Sequence, residues 1–173
     1  IAMFHPVTTE HQQMALYAKN FVESLIKSNK NYVVIFPNND MGSQTILESY
    51  ESILKHSNFR VFPSVRFEYF LTLLKKSQFI IGNSSAGVRE APYYGIPTIN
   101  IGTRQHNRAF SNSIINTDYS VSNILKSINQ IRKVSFLNEK PDFGNGNSAE
   151  EFLKTLQLKS LWQTNHQKQF REL

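Results

Sequence analysis

The stretch from Phe79 to Pro92 constrains the fold of this chain more than any other. Phe79-Ile80-Ile81 is an unbroken apolar run, the pattern of a strand covered on both faces. Gly82-Asn83-Ser84-Ser85-Ala86-Gly87 follows as a run of small and turn-forming residues, and Val88 to Pro92 can be helical. Strand, small-residue turn and helix in that order place main-chain N–H groups and two hydroxyls at a helix N-terminus. Orphan donors and the helix dipole both favour negative charge there, so such a turn is suited to phosphate. Glu90 lies five or six residues beyond the serines. A carboxylate at that depth would repel phosphate, but it could accept hydrogen bonds from ribose hydroxyls. Phosphate and ribose together point to a nucleoside diphosphate.

The rest of the chain repeats the strand-then-helix pattern. Ala2-Met3-Phe4, Tyr32 to Phe36, Phe59 to Phe62, Phe79 to Ile81 and Thr98 to Ile101 read as five short strands. A helix capped by Thr8 or Thr9 is predicted to run to about Ser28, with Met14, Leu16, Tyr17, Phe21, Leu25 and Ile26 at helical spacing. Further helices are predicted over Ile46–Leu54, Glu68–Lys76, Val121–Ile131, Glu150–Leu158 and Leu161–Phe170, with a polar loop over Asn138–Asn147. The fold class is therefore α/β, a doubly wound parallel sheet. Such sheets bind ligands at the carboxyl ends of their strands. His5, Asn38, Val65, Ser84 and Arg104 each follow a predicted strand, so all five converge on one sheet edge.

Composition narrows the function. The 173 residues suffice for about one domain, and no apolar run reaches the roughly 18 residues of a membrane helix. Cysteine is absent, which removes disulfides and thiolate chemistry. A net charge of +6 is spread along the chain without a basic run, so an anionic small molecule accounts for it as well as nucleic acid does. The opening Ile1-Ala2-Met3-Phe4-His5-Pro6 carries no signal-peptide pattern, and a cytoplasmic protein is expected. The chain opens within a strand and not on Met, so it is expected to be part of a longer protein.

Each candidate residue has a plainer alternative. Ser84 and Ser85 could be turn residues only. A nucleophile elbow is disfavoured, because Gly82-Asn83-Ser84-Ser85-Ala86 ends on Ala where Gly-x-Ser-x-Gly needs glycine. Asn83-Ser84-Ser85 also matches a glycosylation sequon, which needs a secreted context. His5 could flank a helix without a task, hydrogen-bond a phosphate or shuttle a proton. Arg104 could be a surface charge or could grip a diphosphate with its guanidinium fork, and Arg108 is a weaker candidate of the same kind. Asp40 and Glu48 read as solvated or capping groups. His11, His56, His106 and His166 lack metal-ligand spacing, so no metal is expected.

Four segments together resemble a known family. Phe4 to Thr9, Phe36 to Ser43, Gly82 to Pro92 and Asn100 to Gln105 are similar, in order and spacing, to the C-terminal half of the hydrolysing UDP-N-acetylglucosamine 2-epimerases of bacterial sialic acid synthesis. The Gly-Asn-Ser-Ser and Gly-Thr-Arg-Gln motifs carry most of the likeness. Asn107-Arg108 departs from it, where relatives often have Gly-Arg. The resemblance implies a Rossmann-like C-terminal half of a glycosyltransferase-B architecture. Residues 1–150 would bind UDP, residues 151–173 would be helices packing on that domain or crossing back from it, and the N-terminal catalytic domain would lie outside this chain. It implies that Ser84, Ser85 and Gly87 hold the diphosphate, Glu90 the ribose and main chain near Val65 the uracil. His5 and Arg104 would face the phosphates with Asn38 beside them, His5 being the one catalytic candidate. The implied ligands are UDP and UDP-N-acetylglucosamine, with no cofactor, and the full-length protein would be a homo-oligomer without nucleic-acid or membrane partners. An epimerase of a related UDP-sugar, as in legionaminic acid synthesis, and a glycosyltransferase of the same architecture are the rival readings.

Overall fold

Odd and even positions along the central strands serve two different cores. In the computed structural model, which describes residues 1–109, 111–131 and 143–164, Ala2, Tyr32, Val34 and Ile81 join one buried cluster. Their neighbours Ile1, Ile35 and Ile80 join a second, with Met3 and Val33 packed against it. Successive side chains of a strand point to opposite faces, so this division means a sheet covered on both sides.

The strands are β1 (Ala2–Met3), β2 (Tyr32–Ile35), β3 (Phe59–Phe62), β4 (Ile80–Gly82), β5 (Thr98–Ile101) and β6 (Ile114–Thr117). They form one sheet in the order β3-β2-β1-β4-β5-β6, and every pairing is parallel. Helices α1 (Met14–Lys27), α2 (Ser43–Tyr50) and α5 (Val121–Gln130) supply buried residues to the first cluster, including Phe21, Leu25, Ile46 and Ile128. Helices α3 (Phe67–Lys76) and α4 (Ala86–Tyr93) supply Phe70, Leu74, Ala86 and Ala91 to the second. The sheet is therefore α/β and doubly wound, as expected. The order reverses between β1 and β4, so the chain leaves these two strands in opposite directions and a crevice opens past their carboxyl ends.

Three local expectations are corrected. The first helix is not capped by Thr8 or Thr9. A 3₁₀ segment, Thr8–Gln13, starts from Val7 without a side-chain cap and kinks at Glu10, where φ is −120°. The second helix stops at Tyr50, and Ile53–Lys55 forms a separate 3₁₀ turn. A sixth strand, β6, completes the sheet; it lies at the edge, half covered, and its only apolar residues are the adjacent Ile114 and Ile115.

The chain divides into two units, Ile1–Asp142 and Phe143–Leu173. The sheet belongs to the first. The second contains α6 (Ser148–Gln157) and α7 (Lys159–Trp162), joined by a hydrogen bond from Trp162 Nε1 to the Leu156 carbonyl at 2.8 Å. Residues 138–142 of the expected polar loop and the expected helix beyond residue 164 lie outside the described residues.

Candidate functional site

Gly82 begins the site because only glycine fits there. Its φ is +134°, and a Cβ would stand 1.8 Å from the Met3 carbonyl oxygen. The close approach brings the end of β4 against the end of β1, so the residues after both strands become neighbours.

Asn83 exploits that closeness. It is completely buried. The His5 N–H donates to Asn83 Oδ1 at 2.6 Å, and Asn83 Nδ2 donates to the His5 carbonyl at 2.8 Å. The Asn83 N–H donates to the Met3 carbonyl at 3.1 Å. Its own carbonyl accepts from Arg104 Nη1 at 3.2 Å and from Gln105 Nε2 at 3.0 Å. The loops after β1, β4 and β5 thus meet on one residue. Sequence reasoning placed Asn83 inside the motif but gave it no task. A signal was present, since a polar residue between a strand glycine and a helix start must satisfy its amide locally.

The loop after β2 joins through His5. The Asn38 N–H donates to His5 Nδ1 at 3.1 Å. An imidazole nitrogen that accepts is unprotonated, so in the neutral ring the proton sits on Nε2. Burial, and next the positive charge of Arg104, push the His5 pKa down to about 4, against smaller raising effects of Asp40 and the Asn38 bond. His5 is therefore a neutral ring at physiological pH with a hydrogen-bond donor at Nε2.

Arg104 is half-buried and makes no ion pair among the described residues. Burial lowers its pKa, with Asp40 opposing and Arg108 adding to the shift. A guanidinium remains charged under such a shift, so the site holds a partly desolvated cation. Asp40 lies close enough to act on both His5 and Arg104, and it accepts a hydrogen bond from Asn38 Nδ2. Glu48 is exposed on α2, four residues from its nearest partner Gln44.

Ser84 and Ser85 lead into α4. Ser84 Oγ accepts from the Ala86 N–H at 3.3 Å, and the Ser84 and Ser85 carbonyls accept from Gly87, Val88 and Arg89. The N–H groups of Ser84 and Ser85 make no hydrogen bond among the described residues. The turn therefore offers two main-chain donors and the Ser85 hydroxyl. Glu90 stands on the same helix, half-buried, with Oε2 shielded from solvent and unpartnered among the described residues. A buried carboxylate oxygen without a donor is costly, and hydroxyl donors on a ligand would satisfy it.

Gly87 and Val65 occupy different settings. Gly87 is buried against β5: Thr98 Oγ1 donates to its carbonyl at 2.5 Å, and a Cβ would stand 2.7 Å from Thr98 Cγ2. It lets α4 lie close on the sheet. Val65 sits in the loop between β3 and α3, packed against the second core cluster. Among the described residues no group of three or more His, Asp or Glu side chains could hold a metal ion. No helix there is long and apolar enough to cross a membrane.

Comparison with known proteins bears on family and fold. The family model described as UDP-N-acetylglucosamine 2-epimerase matches residues 1–157. A UDP-N-acetylglucosamine 2-epimerase of Neisseria meningitidis serogroup B is 44% identical over 100% of this chain and 46% of its own length. A hydrolysing UDP-N,N'-diacetylbacillosamine 2-epimerase of Legionella pneumophila is 25% identical over 92% of this chain and 43% of its own. The solved UDP-GlcNAc 2-epimerase of Methanocaldococcus jannaschii, in complex with UDP-GlcNAc and UDP, superposes with a TM-score of 0.73 at 18% identity, over 90% of this chain and 44% of that one. That likeness is one of fold, the Rossmann-like half of a glycosyltransferase-B architecture. The chain thus spans about half the length of the relatives it matches. It belongs to the UDP-N-acetylglucosamine 2-epimerase family.

Proposed function

We propose that this chain is the UDP-binding half of a hydrolysing UDP-N-acetylglucosamine 2-epimerase serving sialic acid synthesis. The observation that carries the reading is the convergence of a neutral His5 donor, an Arg104 guanidinium that makes no ion pair among the described residues and the open Ser84-Ser85 turn at one switch point. All three are suited to the oxygens of a diphosphate. Glu90, with its unsatisfied oxygen, would take the ribose hydroxyls, main chain near Val65 the uracil, and Asn38 would hold His5.

The proposed reaction has two steps. Loss of the C2 proton and cleavage of the C1–O bond release UDP and leave a glycal. Water then adds, its oxygen at C1 and its hydrogen at C2 on the opposite face, giving N-acetylmannosamine. Charge grows on the diphosphate as the C1–O bond breaks. Donors already in place for that charge lower the barrier without reorganising. His5 contributes the Nε2 proton as a hydrogen bond, because its Nδ1 is occupied and the ring resists a second proton. The groups that move protons at C2 would come from the rest of the full-length protein, so this chain alone would bind UDP without turnover.

The 25% identity to an epimerase of UDP-N,N'-diacetylbacillosamine favours one second reading, the same chemistry on a different UDP-sugar. Calorimetry with UDP, UMP and uridine tests the site itself. Affinity should fall in that order. Equal binding of uridine and UDP would remove the serine turn as the phosphate site. Product analysis with the full-length protein and each UDP-sugar separates the two substrates.

A further inference from the structure

In Asn83 both side-chain amide atoms, the main-chain N–H and the carbonyl are all engaged by protein partners. Its amide pairs with both main-chain groups of His5, 78 residues away in sequence. This reciprocal pair lies just past Met3↔Gly82, the last register pair of the β1–β4 ladder. A side-chain amide takes the place of a main-chain peptide group at the point where the two strands must part. The Asn83 carbonyl meanwhile anchors Arg104 and the buried Gln105.

We propose that Asn83 is a positioning residue, whose side-chain amide clasps His5 across the β1–β4 crevice and so sets where the imidazole points, while its main-chain carbonyl anchors Arg104 beside it. The proposal rests on the UDP reading only for its effect on affinity; the clasp itself is independent of any ligand. A rigid amide suits the task. It accepts and donates in one plane, matching the donor and acceptor of a main-chain residue. Removing it leaves the His5 N–H and carbonyl in the interior without partners, so the segment must shift to find others. A shift of His5 also breaks the Asn38-to-Nδ1 bond, which depends on the position of the ring.

The test combines NMR and calorimetry on Asn83→Ala and the unsubstituted chain. Long-range proton–nitrogen spectra report which imidazole nitrogen of His5 carries the proton. In the unsubstituted chain the proton should sit on Nε2, and the His5 amide should exchange slowly with solvent. In Asn83→Ala the ring should populate both tautomers. UDP affinity should then fall roughly tenfold or more, the worth of one hydrogen bond to a charged group, while uridine affinity changes far less. A role confined to stability would lower the melting temperature and leave the tautomer and the UDP-to-uridine ratio as they were; that outcome overturns the proposal. If Asn83→Ala does not fold, the unsubstituted chain still decides, because rapid exchange of the His5 amide would show the clasp open. If the unsubstituted chain fails to bind UDP, the nucleotide reading falls, while the His5 tautomer in the variant still tests the clasp.

Discussion

The main-chain N–H of Asn38 and the imidazole Nδ1 of His5 stand 3.1 Å apart, donor to acceptor. This bond joins the loops after β2 and β1 and fixes which face of the ring is left to act. The consequence can be read in substitutions. Glutamine places an amide N–H about where Nε2 stands, whereas asparagine mimics the Nδ1 side. His5→Ala should weaken UDP binding roughly tenfold. His5→Gln should recover more of that loss than His5→Asn. Titration calorimetry ranks the three, and the reverse order would mean that Nδ1 faces the ligand.

The low pKa of His5 predicts how stability depends on pH. The unfolded chain binds a proton at His5 near the ordinary pKa of 6.5, and the folded chain only near 4. Between those values the unfolded state holds more protons, so stability rises with pH. His5 should therefore cost the fold stability as pH drops from about 6.5 towards about 4, with no further loss below. Urea unfolding at pH 7 and pH 5 measures this. His5→Gln should lose less stability between the two than the unsubstituted chain, since all other groups titrate alike.

Glu90 and Arg104 should separate binding from catalysis in the full-length protein. Glu90→Gln turns a two-oxygen acceptor into a mixed donor and acceptor, which would weaken nucleotide and substrate alike and mainly raise KM. Arg104→Lys keeps the charge and loses the fork that can hold two oxygens. Because charge builds on the diphosphate as it leaves, kcat should fall more than binding. Losses of roughly 10- to 150-fold are expected for each, the worth of one hydrogen bond to a charged group. Steady-state kinetics within about twofold of the unsubstituted protein would remove either residue from the site.

Gly82→Ala should be among the most damaging small substitutions in the chain. A methyl group at a φ of +134° and 1.8 Å from the Met3 carbonyl cannot be placed without moving β1 away from β4. A loss of about 3 kcal/mol or more is expected, from strain and disrupted pairing together. Gly146→Ala shares a positive φ, +87°, but nothing lies within 4 Å of its added Cβ, so it carries the backbone strain without the clash and should cost less. Thermal melting of the two proteins gives the comparison.

The sheet was legible because its central strands are short runs of Ile, Val, Phe and Tyr bounded by turn residues. Tyr32 to Ile35 and Thr98 to Ile101 stand where their patterns place them. Strand β6 escaped because an edge strand buries less, and Ser111-Asn112-Ser113 before it reads as loop. The caps escaped for a different reason. The kink at Glu10 is held by distant partners: Thr103 and Tyr119 donate their hydroxyls to its two carboxylate oxygens, and Tyr119 stacks on Tyr17 at 3.6 Å. No local pattern encodes contacts across 93 and 109 residues. In the site, the positions after strands identified His5, Asn38, Ser84 and Arg104 as neighbours. What position alone could not supply was the arrangement of bonds, and so Asn83, Gln105 and the tautomer of His5 became visible only in three dimensions.

The place of β1 also bears on how the chain reaches its native state. This strand has two residues and lies between β2 and β4, so its partners are 32 and 79 positions downstream, Ala2 with Val34 and with Ile81. Contacts that distant must overcome a large loop-closure entropy before they reward it, which slows folding. During synthesis β1 and β2 can pair early, but one edge of β1 stays open until Gly82 has left the ribosome. Over that interval the unpaired edge is exposed to association with other nascent chains, so yield should depend on how quickly the segment up to Asn83 is delivered.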